Sequence, residues 1–202
     1  EIIEKFGADT LRVYEMFMGP LEADKPWDVR AVIGVYKFLQ RVYRLVSDTK
    51  TPVFSEEQKI ATEKKLHQTI SKITQDIPKL KFNTAIASLM EFVNLWQAEN
   101  KTYKATLSVA DKTKFTQLLA PFAPFMADEL YEVLLGENAA KSDAKNYSGI
   151  HVQSWPEFDP QKAVLDEIVI PVQIAGKVRA ELLISQDQAN DQEFVLQKAL
   201  EL

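Results

Sequence analysis

Arg30, Lys37, Arg41 and Arg44 stand at i, i+7, i+11 and i+14. On a helix advancing about 100° per residue, that spacing gathers four cations on one side. Helix-mounted Arg and Lys at such intervals can follow a phosphate backbone, Arg with bidentate contacts. A merely solvated face would show the same pattern, so the residues leave both readings open. Lys177 and Arg179 are a smaller basic pair. Two positions apart in an extended segment, they would share one strand face, either as a basic tip or as the charged rim of an edge strand. Met16, Phe17 and Met18 form an apolar run that reads as a contact with another domain rather than as a ligand pocket.

Other chemistry finds little support. The six glycines are scattered, and neither GxxxxGK nor GxGxxG occurs. Cysteine is absent, which removes disulfides and thiolate zinc sites and suits a reducing cytosol. His67 and His151 lie 84 positions apart, so no HExxH pair exists, and each reads as structural or superficial. No serine sits in a nucleophile elbow. The carboxylate pairs Glu56/Glu57 and Asp128/Glu129 fall at expected helix N-termini, where they complement the dipole. The residues therefore predict no catalytic centre and no metal site within this chain.

Composition narrows the classes further. The chain is 46% hydrophobic and 26% charged, ordinary values for a globular protein. No apolar run approaches the roughly 20 residues needed to span a bilayer, so no membrane role is expected. The net charge of −5 opposes a generally sticky polyanion binder, but it is unevenly spread. Residues 1–50 balance, residues 51–127 carry +3, and residues 128–202 carry −8. Contact with phosphates is thus expected mainly in the first two-thirds.

The elements that must position these groups are mostly helical. Ile2, Ile3 and Phe6 form a short apolar-periodic segment that stops at Gly7. The chain opens partway through a pattern, without Met, and reads as cut at both ends. Asp9 is expected to cap a helix over 9–18, stopped by Gly19-Pro20. A long helix is predicted from Asp28 to about Ser47, with Val32, Val35, Tyr36, Leu39, Val42, Tyr43 and Val46 as its core stripe. Ser55-Glu56-Glu57-Gln58 reads as a capping box for a helix to about residue 76, with Ile60, Glu63, Leu66, His67, Ile70 and Ile73 inward and lysines outward. Asn83 should cap a fourth helix lined by Ile86, Leu89, Met90, Val93 and Trp96. Ser108 starts another, Pro121 and Pro124 interrupt it, and a last bundle helix is expected over 126–135.

After a polar loop (136–149), "IHVQSWPEFD" reads as an extended segment laid across the bundle with Trp155 as its anchor. "IVIPVQI" and "KVRAELLI" then switch to strand periodicity around Ala175-Gly176, a two-residue hairpin signal, and Asn190 and Glu193 open a final helix. The fold class is thus mainly α: an antiparallel helical bundle followed by a small α/β piece with a β-hairpin. The expected division is a linking segment over 1–20, a bundle over 21–160 and a separate C-terminal piece over 161–202.

Several stretches are also recognisable. "GADTLRVYEMFMGPLE" (7–22) resembles the stretch that follows the KMSKS loop in bacterial-type leucyl-tRNA synthetases. "KFLQRVYRLV" (37–46), "KFNTAIASLMEFVN" (81–94), "LLAPFAPFMADELYEVL" (118–134) and "IHVQSWPEFD" (150–159) are similar, in order, to that family's anticodon-binding helical domain. "IVIPVQIAGKVRAEL" (168–182) resembles the start of its C-terminal domain. The first and last motifs are those of the leucine enzyme; the middle ones are shared by the valine, isoleucine and methionine enzymes. Phe125 replaces a frequent His, Tyr43 and Tyr131 frequent Trp, and Ala175 a usual Asn, which puts any hydrogen bond from that His or Trp in question. The lack of cysteine disfavours the isoleucine relative, which often carries a Cys-rich zinc site.

The resemblance implies the tRNA-positioning part of a leucine–tRNA ligase. ATP, magnesium, leucine activation and editing would then belong to a catalytic portion outside this chain, and no cofactor is expected within it. It further implies tRNA(Leu) and that catalytic domain as partners, with Arg30, Lys37, Arg41, Arg44, Lys177 and Arg179 toward the RNA. Met16, Phe17 and Met18 would face the catalytic domain and form an exposed apolar patch without it. A helical protein-interaction domain is the rival of a different class, and salt-dependent tRNA binding separates the two.

Overall fold

A computed structural model describes residues 1–24, 26–48, 56–103, 107–136, 149–163, 168–174, 177–184 and 192–201. The expected capping Ser55, the Ala175-Gly176 turn, Asn190 and most of the 136–149 loop lie outside those residues. The chain divides into two compact units, Glu1–Lys162 and Ala163–Leu202.

The first unit is built from α1 (Ile2–Phe6), α2 (Ala8–Phe17), α3 (Val29–Ser47), α4 (Glu56–Asp76), α5 (Phe82–Tyr103), α6 (Val109–Leu119) and α7 (Pro124–Leu135). Residues 1–20, expected as a separate linking segment, are integral to it: Val13 and Tyr14 of α2 are buried in the common core. Gly7 joins α1 to α2 with φ of 85°, a left-handed conformation that costs a residue with Cβ.

α5 is the central helix and packs against α2, α3 and α4. Its Ile86, Leu89, Phe92, Val93 and Trp96 are fully buried. Phe92 stacks on Phe115 of α6 at 5.5 Å, and Trp96 meets the edge of that ring at 5.9 Å. Such pairing adds about 0.5–1.5 kcal/mol per pair beyond area burial. Asn83 lies inside the first turn of α5, which starts at Phe82, so it is not the expected cap.

The break between α6 and α7 follows the prolines. α6 ends at Leu119, and Pro124 occupies the first position of α7, two residues earlier than expected. Proline is favoured there because its missing N–H would have no helical partner. Ser108 caps α6 by accepting from the Asp111 N–H at 3.1 Å, while its hydroxyl donates to the Asp111 carboxylate at 2.7 Å.

Asp9 corrects a further expectation. It sits within the first turn of α2, and its buried carboxylate accepts from the Met126 N–H at 2.7 Å. It therefore caps α7, across the bundle, rather than its own helix. Burial raises the Asp9 pKa, opposed by the Met126 and Phe125 N–H groups and by Arg12.

Residues 150–163 return over the bundle through a 3₁₀ turn (Ile150–Val152) and a helical turn (Pro160–Ala163). Trp155 remains 38% exposed, so it anchors by its indole N–H, which donates to Thr74 Oγ1 at 2.8 Å, rather than by burial. Pro156 is buried and Phe158 packs against the core. The Asp159 N–H donates to Nδ1 of buried His67 at 2.9 Å, and Lys162 pairs with Glu63 at 2.5 Å. His67 is thus structural.

The second unit holds β1 (Ile168–Ile174) and β2 (Lys177–Ile184), an antiparallel pair, and a helix over Gln192–Leu200. The register slips between Val172 and Gln173, so Arg179 has no partner across the pair. An extra residue of this kind interrupts the alternation of side chains.

Candidate nucleic-acid interface

α3 is the element that carries the basic face. Its start is fixed by α2: the Tyr14 hydroxyl accepts from the Asp28 N–H at 2.9 Å. Trp27 meets the Tyr14 ring edge-on at 4.8 Å. Asp28 then caps α3 by accepting from the Arg30 N–H at 2.8 Å. That bond, followed by the Arg30 side chain, lowers the carboxyl pKa. Asp28 also claims the Arg30 guanidinium, with Nε at 3.4 Å on the exposed surface. Arg30 is therefore partly neutralised.

The far end of α3 is closed by Lys112 of α6, a buried lysine whose amine donates to the Asp48 carbonyl. A cation at that end complements the helix dipole. Burial lowers the Lys112 pKa, with Asp48 opposing the shift.

Between these ends, Val32, Val35, Phe38, Leu39, Val42, Leu45 and Val46 are buried. The buried stripe is turned from the expected one. Phe38 and Leu45 go in, whereas Tyr36 is half-buried and Tyr43 is 41% exposed. A tyrosine at the stripe's edge can bury its ring and keep its hydroxyl wet. Ile60, expected inward on α4, is likewise 61% exposed.

The remaining cations of α3 differ from one another. Lys37 and Arg44 are exposed, and Arg44 Nε donates to the Gln40 carbonyl of its own helix at 3.3 Å. Arg41 is half-buried, not fully projecting, and its Nη1 donates to Asn94 Oδ1 at 2.9 Å and Gln97 Oε1 at 3.1 Å. Among the described residues, no carboxylate pairs with Lys37, Arg41 or Arg44. Lys37 and Arg44 are exposed, and Arg41 is held only by neutral amides among the described residues.

The lysines of α4 contribute less than their number suggests. Lys65 is paired with Glu91 at 2.9 Å and Lys72 with Asp76 at 2.9 Å. In the second unit Arg179 is exposed, and Lys177 opens β2. The bulge falls at Arg179, and the expectation that the two share one strand face rests on the Lys177 side chain, which lies outside the described residues.

Met16, Phe17 and Met18 do not form the expected exposed patch. All three are half-buried against the core of their own unit. The exposed large apolar side chains of this unit lie elsewhere, among them Leu21, Trp27, Ile33 and Phe125. No described helix is long and apolar enough to cross a membrane. Among the described residues no group of His, Asp and Glu is placed to hold a metal ion.

A helical bundle with a partly neutralised basic helix face, beside a second unit with a β-hairpin, is the architecture these residues build. Residues 61–195 match the anticodon-binding domain of tRNA ligases, and the chain belongs to that family. The whole chain also superposes on a leucyl-tRNA synthetase (LeuRS) from Agrobacterium radiobacter, solved as a ternary complex with tRNA and LeuAMS. The TM-score is 0.66 at 27% identity, and this chain spans 26% of that one.

Proposed function

We propose that this chain is the tRNA-positioning part of a leucine–tRNA ligase, an ATP-dependent aminoacyl-tRNA synthetase acting in the cytoplasm. The observation that carries the reading is the α3 face. Lys37, Arg41 and Arg44 share one rigid helix, and no described carboxylate neutralises them. Three cations at that spacing suit the phosphates of a folded RNA and give position rather than sequence. The similarity to a LeuRS solved with tRNA supports tRNA(Leu) as the partner.

ATP, magnesium and the acyl transfer belong, in this reading, to a catalytic domain outside the chain. Met16, Phe17 and Met18 offer that domain only their half-exposed surfaces. Lys177 and Arg179 would supply a second, independent RNA contact from the C-terminal unit.

The test is tRNA(Leu) binding over a salt series, beside an Arg41→Glu/Arg44→Glu variant. Binding should fall steeply with salt, and the variant should lose most of it. Undiminished binding by the variant would remove α3 from the RNA path. Absence of binding at every salt concentration would assign the chain to bracing its catalytic partner.

A further inference from the structure

The three outward cations of α3 are not held alike, and the difference points to two residues outside the basic stripe. Lys37 has no tether among the described residues, and Arg44 touches only its own helix backbone. Arg41 alone is held from another helix. Both hydrogens of its Nη1 are used, one on the Asn94 amide oxygen at 2.9 Å and one on that of Gln97 at 3.1 Å. Asn94 and Gln97 stand three positions apart on α5, so they form one ledge on its outer side.

We infer that Asn94 and Gln97 are positioning residues that present Arg41 to a phosphate of the bound RNA; the inference rests on the α3 reading above. Their chemistry fits that task. An amide oxygen accepts a hydrogen bond from a guanidinium but leaves its full charge in place. A carboxylate at either position would hold Arg41 more firmly and cancel it. The acid one turn earlier on α5, Glu91, is occupied by Lys65 at 2.9 Å.

Holding Arg41 by Nη1 also leaves Nε–H and the two Nη2 hydrogens without partners among the described residues. That Nε/Nη2 edge is a planar pair of donors that matches two phosphate oxygens. The rotamer freedom of Arg41 is surrendered before the RNA arrives, so less is lost on binding. Arg41 is then the fixed contact of the face, and Lys37 and Arg44 are adaptable ones.

The experiment is a double-mutant cycle on the full chain, read by tRNA(Leu) binding over a salt series. It compares wild type, Arg41→Gln, Asn94→Ala/Gln97→Ala and the combined triple variant, with thermal unfolding of each as a control for folding. Arg41→Gln should bind roughly tenfold more weakly and reduce the salt slope by about one. Asn94→Ala/Gln97→Ala should bind roughly three- to fivefold more weakly with the wild-type slope, because the charge remains and only its placement is lost. The triple variant should bind no worse than Arg41→Gln alone, since the amides act through that side chain.

Unchanged binding by the amide variant, or losses that multiply in the triple variant, would overturn the positioning role. The α3 face would still stand if Arg41→Gln alone weakened binding. Equal binding by all four proteins would take Arg41 out of the RNA path and overturn this inference, and no binding by the wild type would overturn the α3 reading with it.

Discussion

Lowering the pH should loosen the 150–163 return through a single side chain, His67. Its Nδ1 accepts the Asp159 N–H at 2.9 Å, and only an unprotonated nitrogen can accept. The residue is buried, and burial is the main reason its pKa lies below the usual 6.5; Lys114 and Lys162 push the same way, against Glu63 and Asp159. With the folded-state pKa depressed, the unfolded chain binds the proton more readily. The stabilisation is therefore complete above about pH 6.5 and is lost as pH falls from there toward the folded-state value. One proton bound only in the unfolded state limits the loss to about 1.4 kcal/mol by pH 5.5. Gln at position 67 can offer Oε1 to the same N–H but does not titrate. The assay is urea denaturation at pH 7.5, 6.5 and 5.5 for wild type and His67→Gln. The other acids titrate in both proteins, so the difference between the two pH profiles isolates His67. The wild type should lose up to about 1.4 kcal/mol more than the variant. Parallel profiles would show that the imidazole is not the group that senses pH.

Two further perturbations test how α3 and α7 are set in place. Lys112→Ala should cost about 2–4 kcal/mol by urea denaturation, because it empties a buried stem and leaves the Asp48 carbonyl without its donor. Lys112→Met should recover the packing part of that loss by refilling the space, though not the lost donor, and equal damage from both variants would contradict this account. Asp9→Ala should cost about 1–2 kcal/mol through the lost cap on α7, whereas Asp9→Asn keeps an acceptor for the Met126 N–H. Because the folded-state pKa of Asp9 is raised above 3.8, its ionisation works against folding as pH rises through that value. Asp9→Asn should therefore compare more favourably with wild type at pH 7 than at pH 4, and the reverse order would refute it.

The helices were legible because their periodicity, caps and breaks are local. Asp28 before α3, Ser108 before α6 and Pro124 at the head of α7 act within a turn or two of where they stand. The failures are of a different kind. Asp9 carries the composition of a local cap, yet its carboxylate is spent on a helix more than a hundred residues later. Tyr43 fits the inward stripe of α3 by spacing, but it is 41% exposed while Leu45 fills the core. The Met16–Met18 run is apolar enough to suggest a docking surface, and the chain's own core covers half of it. Asp9 finds its partner on another element, and the packing that decides Tyr43 and the Met16–Met18 run is likewise not written in local spacing.

The α3 face shows the same division within a single site. Spacing alone put Arg30, Lys37, Arg41 and Arg44 on one side of a helix, but it weighted them equally. Asp28 caps the helix and also pairs with Arg30 at 3.4 Å, so the residue that starts α3 partly offsets one cation of its face. Asn94 and Gln97 carry no signal of their own, since amides three apart on a helix are ordinary. They acquire meaning only when α3 packs against α5 and Nη1 of Arg41 comes within 3.1 Å of both. A neutral ledge beneath a cation leaves the charge free and fixes its direction. That combination is what the proposed phosphate contact requires of Arg41, and it arises from packing rather than from spacing.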